Sequence, residues 1–170
     1  MKTIGISLGN VCESAVYGVQ KGLRKTEAQG YNICPFDLMV SNYNGIIECI
    51  NDDFRYFCDP NCLKLQSHGL TNTKYNFGFN HETPGHANLY LHEKWPEGSN
   101  HFINNNYRHF IERYNKRIKS FRKYLLDPNN FIIFIIQFVN EPHPEKNLQR
   151  LRNSLVTKYP KLKYDIRIIS

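Results

Sequence analysis

The sequence predicts an α/β fold: a three-layer domain around a small, mostly parallel sheet, with an irregular insert from about Cys58 to Asn100. Two observations carry that expectation. At the start, apolar Ile4, Ile6 and Leu8 alternate with small residues and meet the turn pair Gly9-Asn10, after which Cys12, Ala15, Val16, Val19 and Leu23 follow at helical spacing. In the last third, the nearly continuous apolar run Phe131 to Val139 leads through Asn140-Glu141-Pro142-His143-Pro144 into an amphipathic stretch, Glu145 to Lys158, and a second apolar run, Tyr164 to Ile169. Strand, helix, strand in that order is a βαβ unit, whose two strands lie parallel in one sheet.

The chain has 170 residues, 41% hydrophobic and 22% charged, which suits one globular domain over 1–170 rather than a disordered chain. With 11 Tyr and 11 Phe, the core should be rich in rings. The formal net charge is +7, yet no basic run exceeds two residues, so a solvated helical face explains the charge better than a nucleic-acid surface. The first residues read as a strand rather than a signal peptide, no apolar run approaches the ~20 residues of a membrane helix, and the five cysteines are odd in number. These features point to a cytoplasmic, intracellular protein with reduced thiols and no membrane anchor. Nothing in the pattern speaks to oligomeric state.

Along the chain, Gln29-Gly30 closes the first helical region, and Tyr31 to Leu38 reads as extended because Pro35 disfavours helical geometry at Cys34. Ser41 or Asn42 can cap a short helix from Gly45 to Asp53 with Ile46, Ile47 and Ile50 inward. His101 to Asp127 is the clearest helix: Tyr107, Phe110, Ile111, Tyr114, Ile118, Phe121 and Leu125 form one apolar face. In the helix Glu145 to Lys158, Leu148, Leu151, Leu155 and Val156 should point inward.

Chemistry concentrates at two places. Cys12 falls in the first turn of a helix, where unpaired N–H groups and the helix dipole favour a thiolate, so it is a candidate nucleophile; a small buried hydrophobe in a strand-to-helix corner is the competing reading. The turn Gly9-Asn10 before it, with the N–H groups up to Cys12, is the candidate oxyanion site. His81, flanked by Phe77, Phe79 and Glu82, could take a proton from a thiol, because imidazole titrates near neutrality. Asp37, set among Phe36, Leu38 and Met39, could orient a histidine, bind the backbone of a catalytic loop, or simply cap a helix. Cys58 and Cys62 resemble half of a zinc site, with His68, His81, His86, His92 and His101 nearby, but a second cysteine pair is missing and unpartnered loop thiols are the default. Neither a metal nor a cofactor is expected.

Several stretches together resemble one family. Ile6-Ser7-Leu8-Gly9-Asn10-Val11-Cys12-Glu13-Ser14-Ala15 resembles the "SLGxxCxxA" opening of the family catalogued as putative papain-like cysteine peptidases, a domain of unknown function. Pro35-Phe36-Asp37-Leu38 is similar to its "PFDW" stretch, with Leu38 in place of tryptophan. Phe79-Asn80-His81-Glu82 is similar to its histidine motif, with glutamate in place of aspartate. Arg113 to Phe121, followed by Phe131 to Phe134, resembles its tyrosine- and arginine-rich helix and the strand after it. The resemblance implies a cysteine–histidine hydrolase acting on a peptide or related acyl substrate, and a papain-like α+β arrangement as the alternative fold.

The leading expectation is therefore covalent catalysis by Cys12, with His81 as base and then acid, and Asp37 or Glu82 holding the imidazole tautomer. The alternative is a non-catalytic module that binds an anion such as a phosphate or sugar-phosphate at the Gly9-Asn10 turn. A third reading, nonspecific nucleic-acid binding through the helix around Arg108 to Lys123, ranks below both.

Overall fold

The computed structural model describes residues 1–86, 95–137 and 140–169. Three strands, Lys2–Gly9 (β1), Asn130–Gln137 (β5) and Tyr164–Ile169 (β6), form a parallel sheet in the order β1-β5-β6. Between β1 and β5 come the helices Glu13–Gln20 (α1), Tyr43–Asn51 (α2) and Asn104–Leu126 (α3), and the short strands Leu63–Gln66 (β2), Gly69–Asn72 (β3) and Phe77–Gly78 (β4). Pro144–Lys158 (α4) connects β5 to β6, as the βαβ reading requires.

The two faces of the sheet are built differently. Ile4, Ile6 and Leu8 of β1 and Ile132, Phe134 and Ile136 of β5 enter one large core with residues of α2, α3 and α4. The intervening positions face α1, where space is short. A Cβ on Gly5 would lie 2.9 Å from that of Leu23, and one on Gly18 would lie 3.0 Å from Ile135 Cδ1. Period-two alternation thus sends Ile4, Ile6 and Leu8 of β1 to the thick layer and Gly5 to the thin one, where Ile135 of β5 fills the space against Gly18 of α1.

The core is ring-rich, as the composition suggests. Phe36 stacks edge-on against Phe57, Phe77 and Phe121 at centroid separations of 6.4, 5.8 and 5.9 Å, and Phe79 against Phe110 at 4.7 Å. Such tilted pairs set the positive ring edge against the negative face, which adds to the gain from area burial.

Several boundaries differ from the sequence reading. The first helix ends at Gln20 and not near Gly30; Gly22 turns with φ +67°, and Leu23 returns to accept a hydrogen bond from Gly5 N–H through its carbonyl. Gly30 instead ends a separate 3-10 turn, Glu27–Gln29. The Asn42 side chain caps α2 by accepting from Gly45 N–H at 2.7 Å, so that helix starts at Tyr43, earlier than its apolar pattern suggests. The stretch from Cys58 to Asn100 holds the antiparallel sheet β2-β3-β4, whose strands of four, four and two residues are too short to leave a periodic signal; within it, 87–94 lie outside the described residues. In α3, Asn105, Asn106 and Tyr107 carry positive φ, so the regular helix begins after them. Leu151 and Leu155 of α4 are buried as expected, but Val156 is 58% exposed, one residue past the inward stripe. Among the described residues, no helix is long and apolar enough to cross a membrane.

Candidate active site

The carboxyl end of β1 is a tightly laced turn. Its register against β5 shifts between Ser7 and Gly9, a local irregularity of the kind that re-aims the chain at a strand end. Gly9 has φ +105°, and its N–H donates to Ser7 Oγ at 3.1 Å while its carbonyl accepts from Ser14 Oγ. Ser41 holds the other side: its hydroxyl donates to the Leu8 carbonyl at 2.8 Å, and its N–H donates to the Asn10 carbonyl at 2.8 Å. A Cβ on Gly9 would fall 1.7 Å from Ser41 Oγ, so both the backbone angle and the close approach demand glycine there.

Beyond this turn the chain enters α1, with Cys12 at its N-cap position. The Cys12 carbonyl accepts from Ala15 and Val16, which starts the helix. Among the described residues no acceptor meets the N–H of Val11 or of Cys12, and the Cys12 thiol makes no hydrogen bond to an imidazole.

His81 lies on the 3-10 turn Asn80–Glu82 and is half-buried, its ring 5.5 Å from that of His86. One strap serves both this turn and that of Cys12. Val40 exchanges two backbone hydrogen bonds with Gly78, at 2.8 and 3.0 Å, three residues before His81. The next residue, Ser41, holds Leu8 and Asn10. Burial lowers the proton affinity of His81, with the neighbouring Glu82 opposing that shift. A neutral imidazole, the form able to accept a proton, is favoured.

The two carboxylates hold arginines and the backbone rather than an imidazole. Asp37 is fully buried; its Oδ1 accepts from Arg24 Nη1 at 2.7 Å and Ser7 N–H at 3.3 Å, and its Oδ2 from Tyr31 OH and Cys34 N–H, both at 2.8 Å. Of the roles open to Asp37, this is a clamp on the β1 backbone that leads to the Cys12 turn. Burial works against the Arg24 charge, but Asp37 and Tyr31 outweigh it and raise its pKa. Glu82, also fully buried, accepts through Oε1 from Arg113 at 3.1 Å, Tyr114 OH at 3.1 Å and Arg117 at 3.5 Å, while its Oε2 has no hydrogen-bond partner among the described residues. Two arginines that lie outside the apolar stripe of α3 are therefore spent on an interior acid.

Sequence reasoning also passed over Val40 and Gln137. Val40 carries no chemical group, so only the fold reveals its part in the strap. Gln137 Oε1 is buried without a hydrogen-bond partner among the described residues and lines a small cavity, about 60 Å³, with Asn10, Ser41 and Glu141. A cavity of about 610 Å³ opens at the amino end of β1 beside Lys2, Tyr124 and the two side-chain partners of Asp37, Arg24 and Tyr31; Cys12 and His81 do not line it.

The family model described as putative papain-like cysteine peptidase (DUF1796) matches residues 4–170. The chain belongs to this family. Neither the curated proteins nor the solved structures contain a match to it. That description is given for the family as a whole and names no catalytic residue.

The five thiols of this family member are not equivalent. Cys12 is the exposed one, Cys34 and Cys49 are buried, and Cys58 and Cys62 are intermediate. Burial pushes the thiols of Cys34 and Cys49 well up and that of Cys58 up to about 12; Cys62 is raised by burial and by Asp59. Each of these four environments disfavours the reactive anion. Cys58 and Cys62 join no group of three potential metal ligands among the described residues, and His92 lies outside them.

Proposed function

We propose that this chain is a cysteine hydrolase in which Cys12 is the nucleophile and His81 the general base. The observation that carries the reading is the exposed thiol where β1 passes into α1, in a chain whose other four thiols are buried or intermediate. Family membership and the strap common to both turns support it.

In the reaction, His81 takes the Cys12 proton and the sulfur attacks the carbonyl carbon of an amide, thioester or ester. The N–H groups of the turn from Asn10 to Cys12 receive the developing oxyanion; losing one such donor costs about 3 kcal/mol. His81 then protonates the leaving group, and water hydrolyses the thioester left on Cys12. Asp37 acts as a positioning residue for β1, and Glu82 sets the charge beside His81.

The test is alkylation with iodoacetamide at low pH, followed by peptide mapping, together with turnover of a chromogenic thioester. Cys12 should be modified faster than Cys58 and Cys62, and Cys12→Ala should abolish turnover and the acyl adduct. Equal labelling rates with intact turnover in Cys12→Ala would sink the proposal. The N–H groups of Val11 and Cys12, which meet no acceptor among the described residues, also suit a second reading, an anion-binding module. It gains if phosphate raises the melting temperature while no acyl adduct forms.

A further inference from the structure

Away from the Cys12 turn, one group of side chains is arranged around a position suited to a cation. Glu97, His101 and His109 each offer a donor atom, all within 4.8 Å of one another. Glu97 precedes the 3-10 turn Gly98–Asn100, His101 follows it, and His109 lies where regular α3 begins, past the left-handed residues Asn105 to Tyr107. The two imidazole rings stack with centroids 3.9 Å apart and planes 10° from parallel.

The surroundings of each donor define its chemistry. His109 Nε2 lies 3.2 Å from Glu97 Oε1, and its Nδ1 lies 3.4 Å from Glu112 Oε2. A ring that keeps its proton on Nδ1, toward Glu112, turns the Nε2 lone pair onto a carboxylate oxygen. Two electron-pair donors so close need a positive group beside them. Arg108 supplies one, its Nη2 3.4 Å from Glu97 Oε1 and 3.2 Å from His109 Nε2. That arginine side chain is 54% exposed, so it can swing away at little cost. His101, by contrast, is only 6% exposed, and its Nδ1 is buried with no hydrogen-bond partner among the described residues. An unpaired buried polar atom is destabilising, and a metal bond would relieve it.

We propose that Glu97, His101 and His109 form a site for a divalent transition metal of the zinc class, with Arg108 standing at the metal position until the ion displaces it. Two imidazoles and one carboxylate suit zinc, whereas magnesium and calcium favour oxygen ligands alone. The 3.2 Å between Nε2 and Oε1 matches the edge of a tetrahedron with bonds of roughly 2.0 Å. The wider pairs, up to 4.8 Å, must close by about 1.5 Å to reach that edge. Glu112 completes a carboxylate–histidine–metal relay of the kind that fixes the ligating tautomer. The site is independent of the proposed hydrolase chemistry.

The rival account is an imidazolium at His109 held between two carboxylates, with no metal. Titrating the untagged, chelator-treated chain with Co²⁺ separates the two. The expected result is a visible d–d spectrum that Zn²⁺ abolishes, a higher melting temperature with Zn²⁺, and no change with Mg²⁺. Glu97→Gln and His109→Gln, at positions that are not buried, should keep the circular dichroism of the parent and weaken binding by roughly 100-fold, at the top of the range for loss of a supporting group. Arg108→Gln, which removes the competing cation, should bind more tightly. No visible spectrum, unchanged affinity in both ligand variants, a strong thiolate-to-cobalt charge-transfer band, or equal or weaker binding in Arg108→Gln would each overturn the proposal.

Discussion

Arg24 Nη1 donates to Asp37 Oδ1 at 2.7 Å in a pair whose side chains are 9% and 0% exposed. The guanidinium also lies over the Tyr31 ring, 4.2 Å from its centroid. One buried acid thereby ties together the chain after α1, the Tyr31–Cys34 loop and β1. Asp37→Asn should cost about 3–5 kcal/mol, because it leaves the arginine charge buried without its partner. Urea unfolding measures this; a loss under 1 kcal/mol would show that the clamp is dispensable.

Gly9→Ala should be as damaging through sterics alone. The new methyl would sit 1.7 Å from Ser41 Oγ at φ +105°, and the backbone angle by itself costs about 1–3 kcal/mol. Thermal unfolding is expected to show a lower midpoint, and Cys12 should lose any rate advantage in alkylation as the turn relaxes.

His81 predicts an acid limb. Its folded pKa lies below the ordinary value of 6.5, so the unfolded chain binds the proton more readily than the folded one. Its contribution to stability is full above pH 6.5, falls as the pH drops toward the folded pKa, and is constant below that. Activity should decline over the same acid window as the base becomes protonated. His81→Gln should flatten this part of the stability profile, as read from urea midpoints across pH, and abolish turnover.

Glu82 and Tyr114 should separate by size of effect. Glu82→Gln deprives Arg113 and Arg117 of a buried counter-charge and should cost about 3 kcal/mol or more. Tyr114→Phe removes one neutral donor to that acid and should cost about 1 kcal/mol. Denaturant midpoints of the two variants give the order directly; the reverse order would refute the charge argument.

Much of the layout was legible from periodicity. The strand into Gly9, the helix stripe of Phe110, Tyr114, Phe121 and Leu125, and the closing βαβ unit all follow from local spacing, and each is found in the fold. What spacing does not carry is partnership across long separations. Asp37 could be read as an acid in apolar surroundings, but its bond to Ser7 spans 30 positions and the Glu82–Arg117 pair spans 35. The antiparallel sheet was invisible because two-residue and four-residue strands are held by neighbours, not by their own pattern. The Glu97–His101–His109 group was missed for a similar reason: the left-handed run at Asn105 to Tyr107 breaks the helical spacing that would have linked its members.

The strap at Val40–Ser41 has a bearing on how the chain matures. Its hydrogen bonds reach back to Leu8 and Asn10 and forward to Gly78, so the cysteine corner takes shape only when segments far apart along the chain have come together. Fragments that end before Gly78 would carry the sulfur without the framework that aims it.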